Sequence, residues 1–90
     1  MSSVLLDGQS TAGATIRSSG NSSVFANGRL IIVLGDPVDC HNHGNTTVCP
    51  VMIQSSGSVF ANNIAVCREG DVSSCGHSGT NGSGDVGAGG

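Results

Sequence analysis

Seven residues of this chain can hold a metal through nitrogen or sulfur, and all fall between positions 40 and 77: Cys40, His41, His43, Cys49, Cys67, Cys75 and His77. Two groups are tight, Cys40-His41-Asn42-His43 and Cys75-Gly76-His77, and each begins just after a Gly-Asp pair, Gly35-Asp36 or Gly70-Asp71. If those turns are equivalent, two pairs of ligands converge from opposite sides. A closed tetrahedral zinc site asks for that arrangement: four N or S donors on rigid turns, with no open position. The preferred ligands are Cys40, His43, Cys75 and His77, with His41 as the substitute for any of them. Zinc is the expected ion. Iron, which a His-x-His pair can hold in trimeric assemblies, is the second choice. The spacings match no zinc-finger pattern, so a Cys40–Cys75 disulfide, two inert buried thiols, and solvated loop histidines stay open as alternatives. Cys49 and Cys67 stand in apolar contexts, Thr47-Val48-Cys49 and Ala65-Val66-Cys67, and read as core residues, since a free Cys packs as a small hydrophobe. A Cys49–Cys67 disulfide is the alternative in an oxidising setting.

The elements that must position these residues are repeated. Val24-Phe25-Ala26-Asn27 recurs as Val59-Phe60-Ala61-Asn62, and the register holds without a gap through Gly35-Asp36 against Gly70-Asp71 and Cys40 against Cys75. Upstream, Ile16-Arg17-Ser18-Ser19-Gly20 echoes Ile53-Gln54-Ser55-Ser56-Gly57, with a two-residue slip. Asp7-Gly8-Gln9-Ser10-Thr11 is a fainter first copy of the Gly-Asp segment. Each full copy reads as a β-hairpin. Asn27-Gly28 supplies the two positive-φ residues of a type I′ turn, and Asn62-Asn63 is the less tolerant version in the second copy. No apolar stripe of helical period runs far enough for a helix, because Gly or Ser interrupts every window. The fold class is therefore all-β, in one domain spanning residues 1–90. From Gly79 onward the chain is glycine-rich, with Val86 its one large apolar residue, so that segment is expected to be flexible or to pack flat on something else.

Composition removes several functions. The chain of 90 residues has six acids, three Arg and no Lys, a formal charge of -3, and two Phe as its only aromatics. It offers no basic patch for phosphates and no stacking platform for bases, which excludes nucleic acid as a partner. Its longest apolar run, Leu30-Ile31-Ile32-Val33-Leu34, is far short of the roughly 20 residues of a membrane helix. No basic, apolar leader opens the sequence, so synthesis is expected to leave the chain in the cytosol. Fifteen Gly and fourteen Ser would suit disorder, but the many β-branched residues and low charge do not. A core this small supplies only a few kcal/mol, whereas zinc contributes on the order of 10–16 kcal/mol to small metal-dependent folds.

These segments resemble the PAAR-repeat proteins. Gly35-Asp36-Pro37-Val38-Asp39-Cys40-His41-Asn42-His43-Gly44 is similar to the family's GDP-x-x-C-x-x-H-G. Gly20-Asn21-Ser22-Ser23-Val24-Phe25-Ala26-Asn27-Gly28 is similar to its GSPTVFVNG, and Gly70-Asp71-Val72-Ser73-Ser74-Cys75-Gly76 to its third turn. The resemblance covers about residues 7 to 87. It implies a small cone of short β-hairpins whose flat base sits on the blunt end of a trimeric β-helical spike, phage-type or VgrG-like, and whose tip is closed by a metal. Such proteins sharpen the spikes of contractile phage tails and type VI secretion systems. The sequence departs from the pattern at four places. The first turn lacks Gly-Asp-Pro and has Thr11 where the family often has a His ligand. Arg29-Leu30-Ile31-Ile32 replaces Pro-Ala-Ala-Arg. The second hairpin has lost two residues before Val59, and the third copy stops after Asp85-Val86.

The resulting expectation is a structural, non-enzymatic tip on a virion tail baseplate, assembled in the host cytoplasm and touching the target envelope transiently, with export through a type VI system as the alternative. It would be a bare tip without an effector and without a small-molecule substrate. Leu30, Ile31 and Ile32 are expected to form part of the apolar base against the spike, unless the strand is buried on both faces. The competing readings are a small zinc hydrolase, for which no aromatic pocket residues exist, and a disulfide-stapled binding module with all four Cys paired.

Overall fold

The computed structural model describes residues 2–84 and 86–88, the side chain of His43 excepted. Its named elements are eight short strands, β1 (Ser2–Ser3), β2 (Phe25–Ala26), β3 (Arg29–Leu30), β4 (His41–His43), β5 (Thr46–Val48), β6 (Phe60–Ala61), β7 (Ile64–Ala65) and β8 (Gly87–Ala88), with no helix among the described residues. The strands pair antiparallel as β1–β8, β2–β3, β4–β5 and β6–β7. Both expected hairpins are present. Asn27 and Gly28 turn β2 into β3 at φ 53 and 78, and Asn62 and Asn63 turn β6 into β7 at φ 52 and 68. Both central residues of each turn are therefore left-handed, the condition of a type I′ turn.

Behind the hairpins the backbone closes on itself with threefold pseudosymmetry. Leu5 N–H donates to the Cys67 carbonyl at 3.0 Å, Ile32 N–H to that of Leu5 at 2.9 Å, and Cys67 N–H to that of Ile32 at 2.9 Å. A second ring repeats the pattern at 2.8 Å each, from Asp7 to Leu30, Leu34 to Ala65 and Glu69 to Ser3. Three segments, around residues 3–7, 30–34 and 65–69, thus form a triangle in which each pairs with both others. No sheet edge is left to solvent there. Each segment ends in a turn closed by a backbone bond, Gln9 to Leu6, Asp36 to Val33 and Asp71 to Arg68, with Gly8, Gly35 and Gly70 at positive φ. In two copies the Asp carboxylate also accepts the N–H at the turn's start, from Val33 to Asp36 Oδ2 and from Arg68 to Asp71 Oδ2, both at 2.8 Å. In the first copy, which has no Asp at that position, the hydroxyl of Ser10 accepts Leu6 N–H at the same 2.8 Å.

The triangle is buried on both faces. Val4, Leu6, Ile31, Val33 and Val66 pack with Ala26, Ala61 and Ala88, while Leu5, Ile32 and Cys67 pack with Ile16, Met52, Val38 and Ala12. This alternation corrects the expectation for the apolar run. Ile31 and Ile32 are 7% and 0% exposed, so they are core and present no surface to a partner. Leu30, at the end of the segment, is half-buried and Leu34 is exposed. The repeat register shifts as well. Gly8, Gly35 and Gly70 N–H donate to Ile16, Met52 and Gly79, so Ile16 matches buried Met52, and Ile53 is exposed. Gly79 stands where the other copies have a side chain. Leu5 fills that space, and a Cβ added at Gly79 would lie 2.5 Å from a Leu5 methyl.

The third hairpin, expected to be incomplete, is completed from the other end of the chain. β8 pairs with β1 (Ala88 opposite Ser2), and Val4 N–H donates to Val86 at 3.0 Å, as Ile31 does to Val24 and Val66 to Val59. The glycine-rich segment is therefore tied to the body at Thr80, Ser83, Val86, Gly87 and Ala88, and residues 85, 89 and 90 lie outside the described residues. The principal extents are 36 × 23 × 22 Å, one long axis and two nearly equal short ones, as a threefold cross-section requires.

Candidate metal centre at the tip

On the face of the triangle that carries Val38, Ala12 and Met52, the three copies run on into loops, and there they diverge. Val38, Ser73 and Ala12 are the last buried positions, their N–H groups donating to Pro50, His77 and Ala14. The first loop is only Ala12-Gly13-Ala14. The third is Ser74-Cys75-Gly76-His77. The second extends as the β4–β5 hairpin, which sequence inspection missed although Gly44-Asn45 is a type II′ turn signal, with Gly44 at φ 71. Its register, His41 opposite Val48, puts Cys40 beside Cys49 on the next rung, and the two form a disulfide with Cα atoms 4.1 Å apart.

That bond corrects two expectations. Cys40 is not a free thiolate for a metal, and Cys49 is an exposed bridge partner and not a core residue. Cys67 and Cys75 are free, so neither a Cys49–Cys67 nor a Cys40–Cys75 disulfide forms. Cys67 is fully buried at the place of Ile32 and Leu5, as its alignment suggested. Burial pushes its thiol up to about 12, with the nearby carboxylates of Asp71 and Asp36 adding to the effect.

Three of the expected ligands converge. His41, Cys75 and His77 each offer a donor atom, and those atoms lie within 4.8 Å of one another. His41, the substitute in the expected set, is a full member here. The imidazole rings of His41 and His77 meet edge to face with centroids 5.8 Å apart. The side chain of His43 lies outside the described residues. Its backbone is in β4 opposite Thr46.

The local chemistry fits a cation. His41 Nδ1 lies 3.0 Å from the Asp39 carbonyl, which can only accept, so Nδ1 carries the proton and Nε2 the lone pair. Nε2 is buried, with no hydrogen-bond partner among the described residues. A buried acceptor without a donor is costly, and a metal ion would relieve it. Cys75 Sγ is 3.2 Å from the hydroxyl of fully buried Ser73, a donor suited to a thiolate. The first copy supplies space in place of a ligand. Gly13, at φ 89, lies so close to the His77 ring that a Cβ there would come within 2.8 Å of its Cγ. Neither Ser73 nor Gly13 was legible as part of the site.

The model of the PAAR motif matches residues 6–78, a span that holds the second and third segments of the triangle, the β2–β3 and β6–β7 hairpins and all three converging side chains. Individual comparison with curated proteins finds no match.

Proposed function

Because the chain belongs to the PAAR-motif family, whose members are structural spike-tip proteins of contractile injection systems, we propose that it caps the blunt end of a trimeric β-helical spike and narrows it to a metal-held point. The observation that carries this reading is the closed threefold ring of backbone bonds through Leu5, Ile32 and Cys67, made by a single chain. One monomer thereby offers threefold geometry at the hairpin end, where a trimer could seat it. It abandons that geometry at the opposite end, where a point needs none. The surface for the spike is apolar and lies on the hairpins. Phe25 and Phe60 occupy equivalent positions and are each 58% exposed, with half-buried Leu30 opposite Phe25.

At the tip, His41, Cys75 and His77 would hold zinc. The ion would tie the second and third loops together and supply no chemistry beyond charge and coordination. The Asp39 carbonyl orients His41, Ser73 steadies the sulfur, and Gly13 leaves room for His77. A tip driven through an envelope gains from such a clamp, because loops without a core are otherwise the first part to open. The test is co-elution of the metal-loaded chain with a trimeric spike at one chain per trimer. Phe25→Asp together with Phe60→Asp should abolish it while the circular-dichroism spectrum is unchanged. Undiminished binding by that double variant would sink the assignment of the hairpin surface.

A further inference from the structure

Among the described residues the site offers three donors, one fewer than a tetrahedral ion takes, and a candidate fourth is present in a locked form. Cys40 and Cys75 are equivalent residues, lying two beyond Val38 and Ser73, whose N–H groups make the same bonds to Pro50 and His77. Cys75 is in the metal group; Cys40 directly precedes His41, another member, but its sulfur is bonded to Cys49 at 2.03 Å. Both disulfide residues are exposed, so a small thiol can reach them. We infer that the Cys40–Cys49 disulfide is a redox lock on the metal site. Oxidised, the tip holds its ion through His41, Cys75 and His77; reduced, Cys40 becomes the fourth ligand and the site closes as Cys₂His₂.

The step balances with an external dithiol. Its thiolate attacks one sulfur of the disulfide, and the resulting mixed disulfide is resolved by the second thiol. Two electrons and two protons pass to Cys40 and Cys49, and the reagent leaves as its cyclic disulfide. Cys40 then gives up its proton on binding the ion, since the thiolate is the ligand. The inference rests on the metal reading proposed above. It gives that reading a consequence: a chain loaded under reducing conditions holds its ion more firmly than one exposed to oxidant.

Cobalt(II) and zinc binding by the whole chain decide the matter, because the near-ultraviolet thiolate-to-cobalt band scales with the number of sulfur ligands. Four samples are compared anaerobically: oxidised wild type, wild type reduced with a dithiol that is then removed, Cys49→Ala, and reduced Cys40→Ala. Reduced wild type and Cys49→Ala should show about twice the band intensity of the other two, and zinc affinity higher on the order of tenfold or more. Equal bands and affinities in all four would overturn the lock and leave the three-donor site standing. A doubled band in reduced wild type that is absent from Cys49→Ala would make Cys49 the ligand and overturn the assignment of Cys40. Binding by none of the four would remove the metal reading itself.

Discussion

The triangle of strands and the tip loops come from the same repeat, yet only the triangle keeps its symmetry. In the triangle, three segments with different side chains make the same backbone bonds to within 0.1 Å in the inner ring. At the tip, one copy is a bare glycine turn, one a disulfide-closed hairpin and one a Cys-Gly-His loop. The triangle is specified by main-chain pairing and alternating burial, which many sequences satisfy. The tip depends on particular side chains, and each copy was free to contribute a different one. Damage to the first should therefore cost stability, and damage to the second should cost metal and little else.

The largest effect expected on that contrast is Ile32→Ala, which leaves a cavity in a fully buried layer and should cost about 2–5 kcal/mol by urea denaturation. His41→Ala should instead leave the unfolding free energy of the metal-free chain, from the same urea titration, within about 0.5 kcal/mol while lowering zinc uptake measured by elemental analysis. Equal losses of stability in both would show that the tip is part of the folding core. Next comes the comparison among turns. Asp36 is 1% exposed and its carboxylate accepts N–H groups from Ser19, Gly20 and Val33. Asp36→Ala strands three donors and should cost about 3 kcal/mol, whereas Ser10→Ala, with one such donor at stake, should cost about 1 kcal/mol. A Ser10→Ala loss as large as that of Asp36→Ala would mean the first copy is no weaker than the second.

The two free thiols separate the regions by pH. The folded Cys67 thiol stays protonated to about 12, while in the unfolded chain it ionises near 9.0. From about 9.0 upward the unfolded state has lost a proton that the folded state keeps, so unfolding becomes easier as pH rises. Stability owed to this group is thus complete below 9.0 and is lost progressively towards 12. Thermal melts at rising pH should show the decline, and Cys67→Val should reduce it. In thiol labelling of the native metal-free chain, half-buried Cys75 should react and Cys67 should react only on unfolding. Zinc should then protect Cys75.

How much of this the sequence disclosed follows the same division. The two hairpins were legible because Asn27-Gly28 and the repeated Val-Phe-Ala-Asn carry their turn chemistry locally. Cys67 was legible as core through its alignment with Ile32. The third hairpin was not, because β1 and β8 are a few Ser, Gly and Ala residues from opposite ends, joined by main-chain bonds that leave no side-chain pattern. The base surface was misread at Ile31 and Ile32 because a five-residue apolar run does not say whether its second face meets a partner or the chain's own other half. The loops that bring His41, Cys75 and His77 together were legible from the repeat, but Cys40 was assigned to a metal because the Gly44-Asn45 turn went unread. Reading it places Cys40 opposite Cys49 at once.

The smallest effect tests the two complete hairpins against each other. They have the same register, yet the first turns through Asn27-Gly28 and the second through Asn62-Asn63. Asn63 sits at φ 68, where an L-residue meets its own backbone and Gly does not; Asn bears this better than most but not freely. Asn63 is exposed, so replacing it changes little packing. Asn63→Gly should stabilise the chain by about 0.5 kcal/mol, the relief of turn strain less the extra entropy that Gly brings to the unfolded chain. Gly28→Asn, the reverse exchange in the first hairpin, should cost a similar amount, since a Cβ there meets nothing within 4 Å and only the left-handed backbone opposes it. Paired urea titrations of the two variants measure both. Effects of opposite sign and like size would show the two corners to be interchangeable parts of one threefold frame. A clearly larger loss at Gly28 would show that the first corner carries strain the second does not.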